Sequence, residues 1–200
     1  MSKDELPPFY DDLDAMWRHA LKLITRGVKD RRSPMHLLTV ATIGLDGSPQ
    51  VRSVVNRGYD PETRDLRFHT DARSPKLREI KADPRVAVQL YDAKAKIQLR
   101  LDTHATAHET GSLRNKAWEA TRPFSRECYR VEVAPGAAVA GPQDIAFASD
   151  DDPDEGFDNF VPVTLRIHAM ECLYLAHQGH RRSRVSWDDT GNVTATWLVP

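Results

Sequence analysis

HLLTVATIGLDGSPQVRSVVNRGY, residues 36–59, reads as two strands around one turn. HLLTVATIG is β-branched and aliphatic throughout, VRSVVNRGY follows the same pattern, and Asp46-Gly47 between them is a strong short-range hairpin signal. The next segment, DPETRD, turns the chain back into a third strand, LRFHT, where Leu66, Phe68 and Thr70 alternate with Arg67 and His69 as in a half-buried sheet. Further strands are expected at RVAVQLY (85–91), AKIQLRLDTHATAHE (95–109), ECYRVEVAP (127–135), FVPVTLRIHAMECLYLA (160–176), RRSRVSW (181–187) and NVTATWLVP (192–200). Three helices interrupt them. Residues 11–26 place Leu13, Met16, Trp17, Ala20 and Leu23 on one apolar face, with acids in the first turn and Gly27 as a stop. Ser74-Pro75 opens a short helix that Asp83-Pro84 closes, and residues 111–121 form a third. Strands this numerous with so few long helices predict a mainly β fold with flanking helices, a barrel rather than a doubly wound sheet.

The chain has 200 residues, which predicts a single domain over 1–200. Residues 141–159, with the acidic run Asp150–Glu155, read as a long surface loop whose ligand spacing is wrong for an EF-hand. A net charge of −1 argues against general nucleic-acid binding. Two cysteines, Cys128 and Cys172, make neither a disulfide scaffold nor a four-thiolate zinc site. No apolar run is long enough to span a bilayer and the start lacks a signal-peptide pattern, so a reducing cytoplasm is the expected setting.

Three places carry candidate chemistry. In HTDARSPKLREI (69–80), Arg73, Ser74 and Lys76 gather at a helix N-terminus, where free amides, a hydroxyl and two cations suit a phosphate. An ordinary capped helix with surface cations has the same sequence. In VRSVVNRG, Arg52 shares a face with Val54 and Asn56, while Ser53, Val55 and Arg57 share the other. An arginine on such a strand needs a partner, a ligand or the sheet rim. In IQLRLD, Gln98 and Arg100 share a face that is otherwise read as solvent-facing. The histidines show no HExxH or other metal-ligand spacing, so no metal is expected. There is no GxSxG and no Walker or Rossmann glycine motif, and no catalytic acid, base or nucleophile is named.

Taken in order, R-x-V-V at 52–55, HT-x-x-RS-x-K at 69–76 and Q-x-R at 98–100 make the chain resemble the pyridoxamine 5′-phosphate oxidase-like flavoproteins, especially the branch whose substrates are mostly unassigned. The resemblance covers about residues 36–102. It implies an FMN-binding split β-barrel, and a homodimer with the cofactor at the subunit interface. It implies a cofactor site of Arg52, Ser53, Val54, Val55, His69, Thr70, Arg73, Ser74, Lys76, Gln98 and Arg184. There Arg73, Ser74 and Lys76 hold the phosphate, and Gln98 reaches the flavin across the barrel. For the substrate it implies Arg57, Trp118, Arg122, Arg126 and Arg182. Trp118 stands where the oxidase has tyrosine and Arg126 where it has serine, which weakens vitamin-phosphate oxidation more than FMN binding. The expected activity is hydride transfer from an unassigned small molecule to flavin N5. Pyridoxamine/pyridoxine 5′-phosphate oxidation, non-catalytic flavin binding, and haem or deazaflavin use of the same barrel are the alternatives.

Overall fold

The computed structural model describes residues 5–149, 151–188 and 190–200, so Asp150 of the acidic run lies outside the described residues. Helix α1 (Leu13–Lys29) comes first, its N-terminus capped by the Asp12 side chain on Ala15 N at 2.9 Å. Strands β1 (Leu37–Ile43), β2 (Pro49–Val55), β3 (Gly58–Asp60) and β4 (Asp65–Asp71) follow, then helix α2 (Pro75–Ala82) and strands β5 (Arg85–Asp92) and β6 (Ile97–Ala107). Helix α3 (Ser112–Glu119) leads into an irregular region, after which β7 (Phe160–Tyr174), β8 (Arg181–Trp187) and β9 (Val193–Leu198) complete one nine-stranded antiparallel sheet.

The order β2-β1-β5-β6-β7-β4-β3 explains the curl. Its two ends, β2 and β3, are consecutive in the chain with only Asn56 and Arg57 between them, so the sheet must bend round until its edges meet. What the sequence presents as one strand, VRSVVNRGY, is therefore two. At the break Asn56 N donates to His36 O (2.8 Å) and Arg57 N to Arg67 O (2.7 Å), handing the chain from partner β1 to partner β4. The split lies in β7. One edge pairs with β6 along nearly its whole length, while the other pairs with β4 over residues 160–166 and with β8 over 169–174. Inward positions alternate along each strand, and Leu38, Val40, Phe68, Val88, Leu99, Val163 and Leu165 fill the barrel. Met16, Trp17, Ala20 and Ile24 of α1 pack on the same core, with Trp17 edge-on to Trp187.

Two elements depart from the sequence reading. Helix α1 runs through Gly27 instead of stopping there, because a Cβ at that position would lie 2.3 Å from Met35 O; the glycine serves a close approach, not a cap. The expected strand ECYRVEVAP is a 3₁₀ turn (Glu127–Tyr129) followed by a single bridge from Val131 to Phe147. Both edges of β7 are already taken, and Tyr129 packs instead with Trp118 and Phe160 in a small second core. No helix among the described residues is long and apolar enough to cross a membrane.

Candidate functional site

The residues expected to form one site fall into distinct places. The first is the end of the barrel where β4 runs into α2. Thr70 and Ser74 are buried, with their hydroxyls 3.1 Å apart, and Lys76 Nζ donates to Thr70 Oγ1 at 3.1 Å. Ser74 occupies the N-cap position of α2, yet its hydroxyl makes no capping bond to the helix. Burial and the Arg52 guanidinium, in that order, hold the Lys76 ammonium below its ordinary pKa. Arg52 projects inward from β2 and pairs with Glu79 of α2 at 2.7 Å, while Thr42 also donates to Glu79, at 2.5 Å, and accepts from Arg52. Thr42 and Glu79 were not singled out beforehand. Their signals were faint: a threonine in phase with Leu38 and Val40, and an acid on the buried side of a short helix. Ser53 is exposed, and Val54 and Val55 are half-buried on the same strand.

Arg73 does not join this cluster. It pairs with Asp71 at 2.8 Å and donates to the backbone oxygens of Val131 (2.8 Å) and Glu132 (3.0 Å), bracing the segment after the 3₁₀ turn. Asp71 beside it holds the guanidinium pKa above its ordinary value.

The second place is a cavity of about 330 Å³ lined by His36, Asn56, Arg57, Arg67, His69 and Arg122, with Lys29 and Arg31 beside them. Arg67 and His69 lie on the face of β4 opposite Thr70. Asn56 Oδ1, Arg67 Nε and His69 Nε2 are buried there without hydrogen-bond partners. Burial, then Arg67 and Arg57, push His69 down to about 3, so its imidazole is neutral at pH 7. Buried polar groups are almost always satisfied. Arg67 Nε is a donor without a partner among several cations, an arrangement suited to a small anion, while Asn56 Oδ1 can only accept and would suit a donor group on the same ligand. Arg57 and Arg122, far apart in sequence, are brought together here, whereas Arg67 and Asn56 were missed as site residues.

The third place lies at the other end of the sheet. Glu171 accepts from Arg182 (2.6 Å) and Arg184 (3.1 Å), with Arg100 at 3.6 Å, and Arg184 also reaches Asp102 at 2.7 Å. Gln98 lies beside this group in a small cavity. Within one chain, register sets Gln98 well apart from the Thr70 end. Gln98 pairs with Leu173 and Thr70 with Val161, twelve positions apart on β7. At about 3.3 Å per residue this is up to roughly 40 Å of strand, more than one flavin mononucleotide spans.

Trp118 and Arg126 also leave the expected pocket. Trp118 is buried in the second core, and its indole N–H donates to Asp154 at 2.7 Å. Arg126 stacks over that indole at 4.4 Å and donates to Thr121 O, Trp118 O and Pro153 O. Both residues tie the acidic loop to α3.

Comparison with known proteins agrees with this architecture. Residues 14–109 match the model described as the pyridoxamine 5′-phosphate oxidase FMN-binding domain. A pyridoxine/pyridoxamine 5′-phosphate oxidase of Rubrobacter xylanophilus is 37% identical over 86 residues, 43% of this chain and 38% of that protein. Pyridoxine/pyridoxamine 5′-phosphate oxidase 2 of Arabidopsis thaliana is 32% identical over 97 residues, 45% of this chain and 49% of its own length. The matched stretch thus spans less than half of either relative. In fold, a pyridoxamine 5′-phosphate oxidase-related FMN-binding protein of Nostoc punctiforme superposes with a TM-score of 0.78 at 22% identity, over 98% of this chain and 100% of that one. PhzG of Burkholderia lata superposes with a TM-score of 0.74 at 23% identity, over 98% of both chains. Residues 14–109, just under half of the chain, therefore match the pyridoxamine 5′-phosphate oxidase FMN-binding domain, a match that gives FMN as the cofactor, and the fold of the whole is the split β-barrel.

Proposed function

We propose that the protein is an FMN-dependent oxidoreductase acting on a small anionic donor, and that it works as a homodimer in the cytoplasm. The observation that carries this reading is the Thr70–Ser74–Lys76 cluster. Two buried hydroxyls and a half-buried ammonium at the start of α2 fit the phosphate of FMN. A phosphate dianion would offset both causes that depress the Lys76 pKa, since it neutralises the repulsion from Arg52 and replaces lost water with a charged partner. When bound, FMN would supply the redox chemistry as a hydride acceptor. The protein's part is positioning. Arg57, Arg67 and Arg122 would orient the donor's anionic group in the cationic cavity, with neutral His69 as a further hydrogen-bond partner.

The separation of Gln98, Arg182 and Arg184 from Lys76 supports the homodimer. If these residues serve one cofactor, the far end must come from a second copy of the chain. Pyridoxamine/pyridoxine 5′-phosphate oxidation is the second reading. Arg57 and Arg122 on one cavity favour it, and the withdrawal of Trp118 and Arg126 into the loop contact weighs against it.

The test is to purify the protein, extract and identify its chromophore, and mix the protein anaerobically with pyridoxamine and pyridoxine 5′-phosphate while following flavin absorbance. FMN with no bleaching by either vitamer supports the first reading over the second. Bleaching by either vitamer reverses the choice, and FMN that no organic donor reduces leaves a non-catalytic flavin binder. Haem, or no chromophore, overturns the proposal.

A further inference from the structure

The irregular stretch 151–157 is fastened to α3 by a chain of contacts that ends at the cationic cavity. Arg114, near the start of α3, donates to Phe160 O (2.8 Å) and Phe157 O (2.6 Å), and its guanidinium lies 4.0 Å over the Phe157 ring. At the other end Arg126 meets the carbonyls that close the helix, those of Trp118 (2.8 Å) and Thr121 (3.0 Å). A cation suits this position, because the last carbonyls of a helix lack partners and carry the negative end of its dipole. The same guanidinium also donates to Pro153 O at 2.9 Å, and Trp118 donates to Asp154 at 2.7 Å. One arginine fork thus joins the last turn of α3 to the acidic loop. Thr121, which it grips, immediately precedes Arg122, and both residues line the cavity. Proline follows Arg122, so the backbone leaves the helix at a fixed angle there.

We infer that the acidic loop is a strap, fastened by Asp154, Trp118 and Arg126, that positions Arg122 in the anion cavity. This rests on the proposed role of that cavity. Trp118 and Arg126 are then positioning residues. Their hydrogen bonds go to the strap and to the end of α3. Without the strap, the turn Ala120–Arg122 keeps only its local helix-end bonds, and Arg122 samples orientations away from Arg57.

The test uses the FMN-loaded protein, so that the cofactor's own phosphate site is filled, and titrates inorganic phosphate by calorimetry. D154A is expected to weaken phosphate about five- to tenfold, the effect of losing one well-placed charged contact in part. D154N should stay within about twofold, because its amide oxygen still accepts from the Trp118 indole. R126K should resemble D154A, since one ammonium cannot reproduce the planar fork, and it carries the test should D154A fail to fold. FMN retention should not change in any of them, and protease should cut D154A faster between residues 141 and 159. Wild-type phosphate affinity in both D154A and R126K, with R122A weakened, overturns the strap and leaves the cavity reading standing. Wild-type affinity in R122A, or no phosphate binding by the wild-type protein, overturns the cavity reading and the strap with it.

Discussion

Two clusters of arginine in this molecule behave in opposite ways. Around Glu171, Arg182 and Arg184 each hold a carboxylate oxygen and Arg100 lies within ion-pair distance, so that end of the sheet is electrostatically closed. In the cavity below β3 and β4, Arg57, Arg67 and Arg122 have no carboxylate within ion-pair distance among the described residues, and Arg67 Nε lacks any partner. Burial even pulls the Arg67 pKa below its ordinary value. Clustering cations without an acid costs stability through repulsion and desolvation. A paired arginine is explained by the fold, while the unpaired, half-buried Arg57 and Arg67 call for a ligand, with the exposed Arg122 beside them. The arginine pairs that sequence alone could not rank are ranked by which of them still lack an anion.

The comparison breaks most visibly if the cavity arginines are removed. Each charge-assisted contact to a phosphate is worth about 1.5–3 kcal/mol, so R57A/R122A should weaken phosphate binding by the FMN-loaded protein at least about a hundredfold. Calorimetric titration measures it. An unchanged affinity would mean that these cations are as structurally spent as those around Glu171.

A somewhat smaller effect is expected at the barrel end. K76A should weaken FMN about ten- to a hundredfold, as followed by quenching of flavin fluorescence on binding. R73A should leave FMN affinity within about twofold, because that guanidinium is committed to Asp71 and to two backbone oxygens. The reverse pattern would return Arg73 to the cofactor and remove Lys76 from it.

These two residues also mark the limit of what the sequence discloses. Spacing along 69–80 correctly puts Arg73, Ser74 and Lys76 at one helix start, because strand, turn and helix signals are local. Which way Arg73 turns depends on Val131 and Glu132, some 58 residues away, where local pattern suggests a strand and the structure has a 3₁₀ turn and a single bridge. The barrel was legible because alternation and turn residues repeat along the chain. Its closure was not, since the break at Asn56 is a tertiary event in which a buried side chain reaches Ile24 O and Met35 O. Trp118 and Arg126 show the same limit. A resemblance by position assigns them to a substrate, while their partners lie in a loop whose sequence carries only charge.

The third expectation concerns pH and distinguishes the open cluster from the closed one. His69 has a folded pKa of about 3 against an ordinary 6.5, so between these values the unfolded chain binds a proton that the folded chain refuses. Stability therefore falls as pH drops below 6.5, by up to about 1 kcal/mol per unit for this group, less what solvent screening removes. Urea melts at pH 7 and pH 5 should show this loss in the wild-type protein and a reduced loss in H69Q. Saturating phosphate should shrink the loss too, because an anion among Arg57, Arg67 and Arg122 offsets the repulsion that helps keep the imidazole neutral. A pH dependence identical with and without phosphate would separate His69 from the anion site.

The smallest effect belongs to the closed cluster. Hydrogen bonds from Arg182, and the charges around it, hold the Glu171 pKa below its ordinary 4.5. Its contribution is present in full above that value and is lost as pH falls through the lower folded value. The arginines are substantially exposed, from 29% for Arg182 to 59% for Arg100, so screening leaves about 1 kcal/mol or less to be lost in E171Q. A loss that small, unchanged by protein concentration, would mean that Glu171 matters only within its own chain. A loss that grows on dilution would mean that the Glu171 end is completed by a second copy, as expected if Gln98 and Arg184 serve a cofactor whose phosphate the other chain holds. The most self-sufficient group of charges in the monomer would then be the one that depends on assembly, and the unpaired cavity would be the one each chain builds alone.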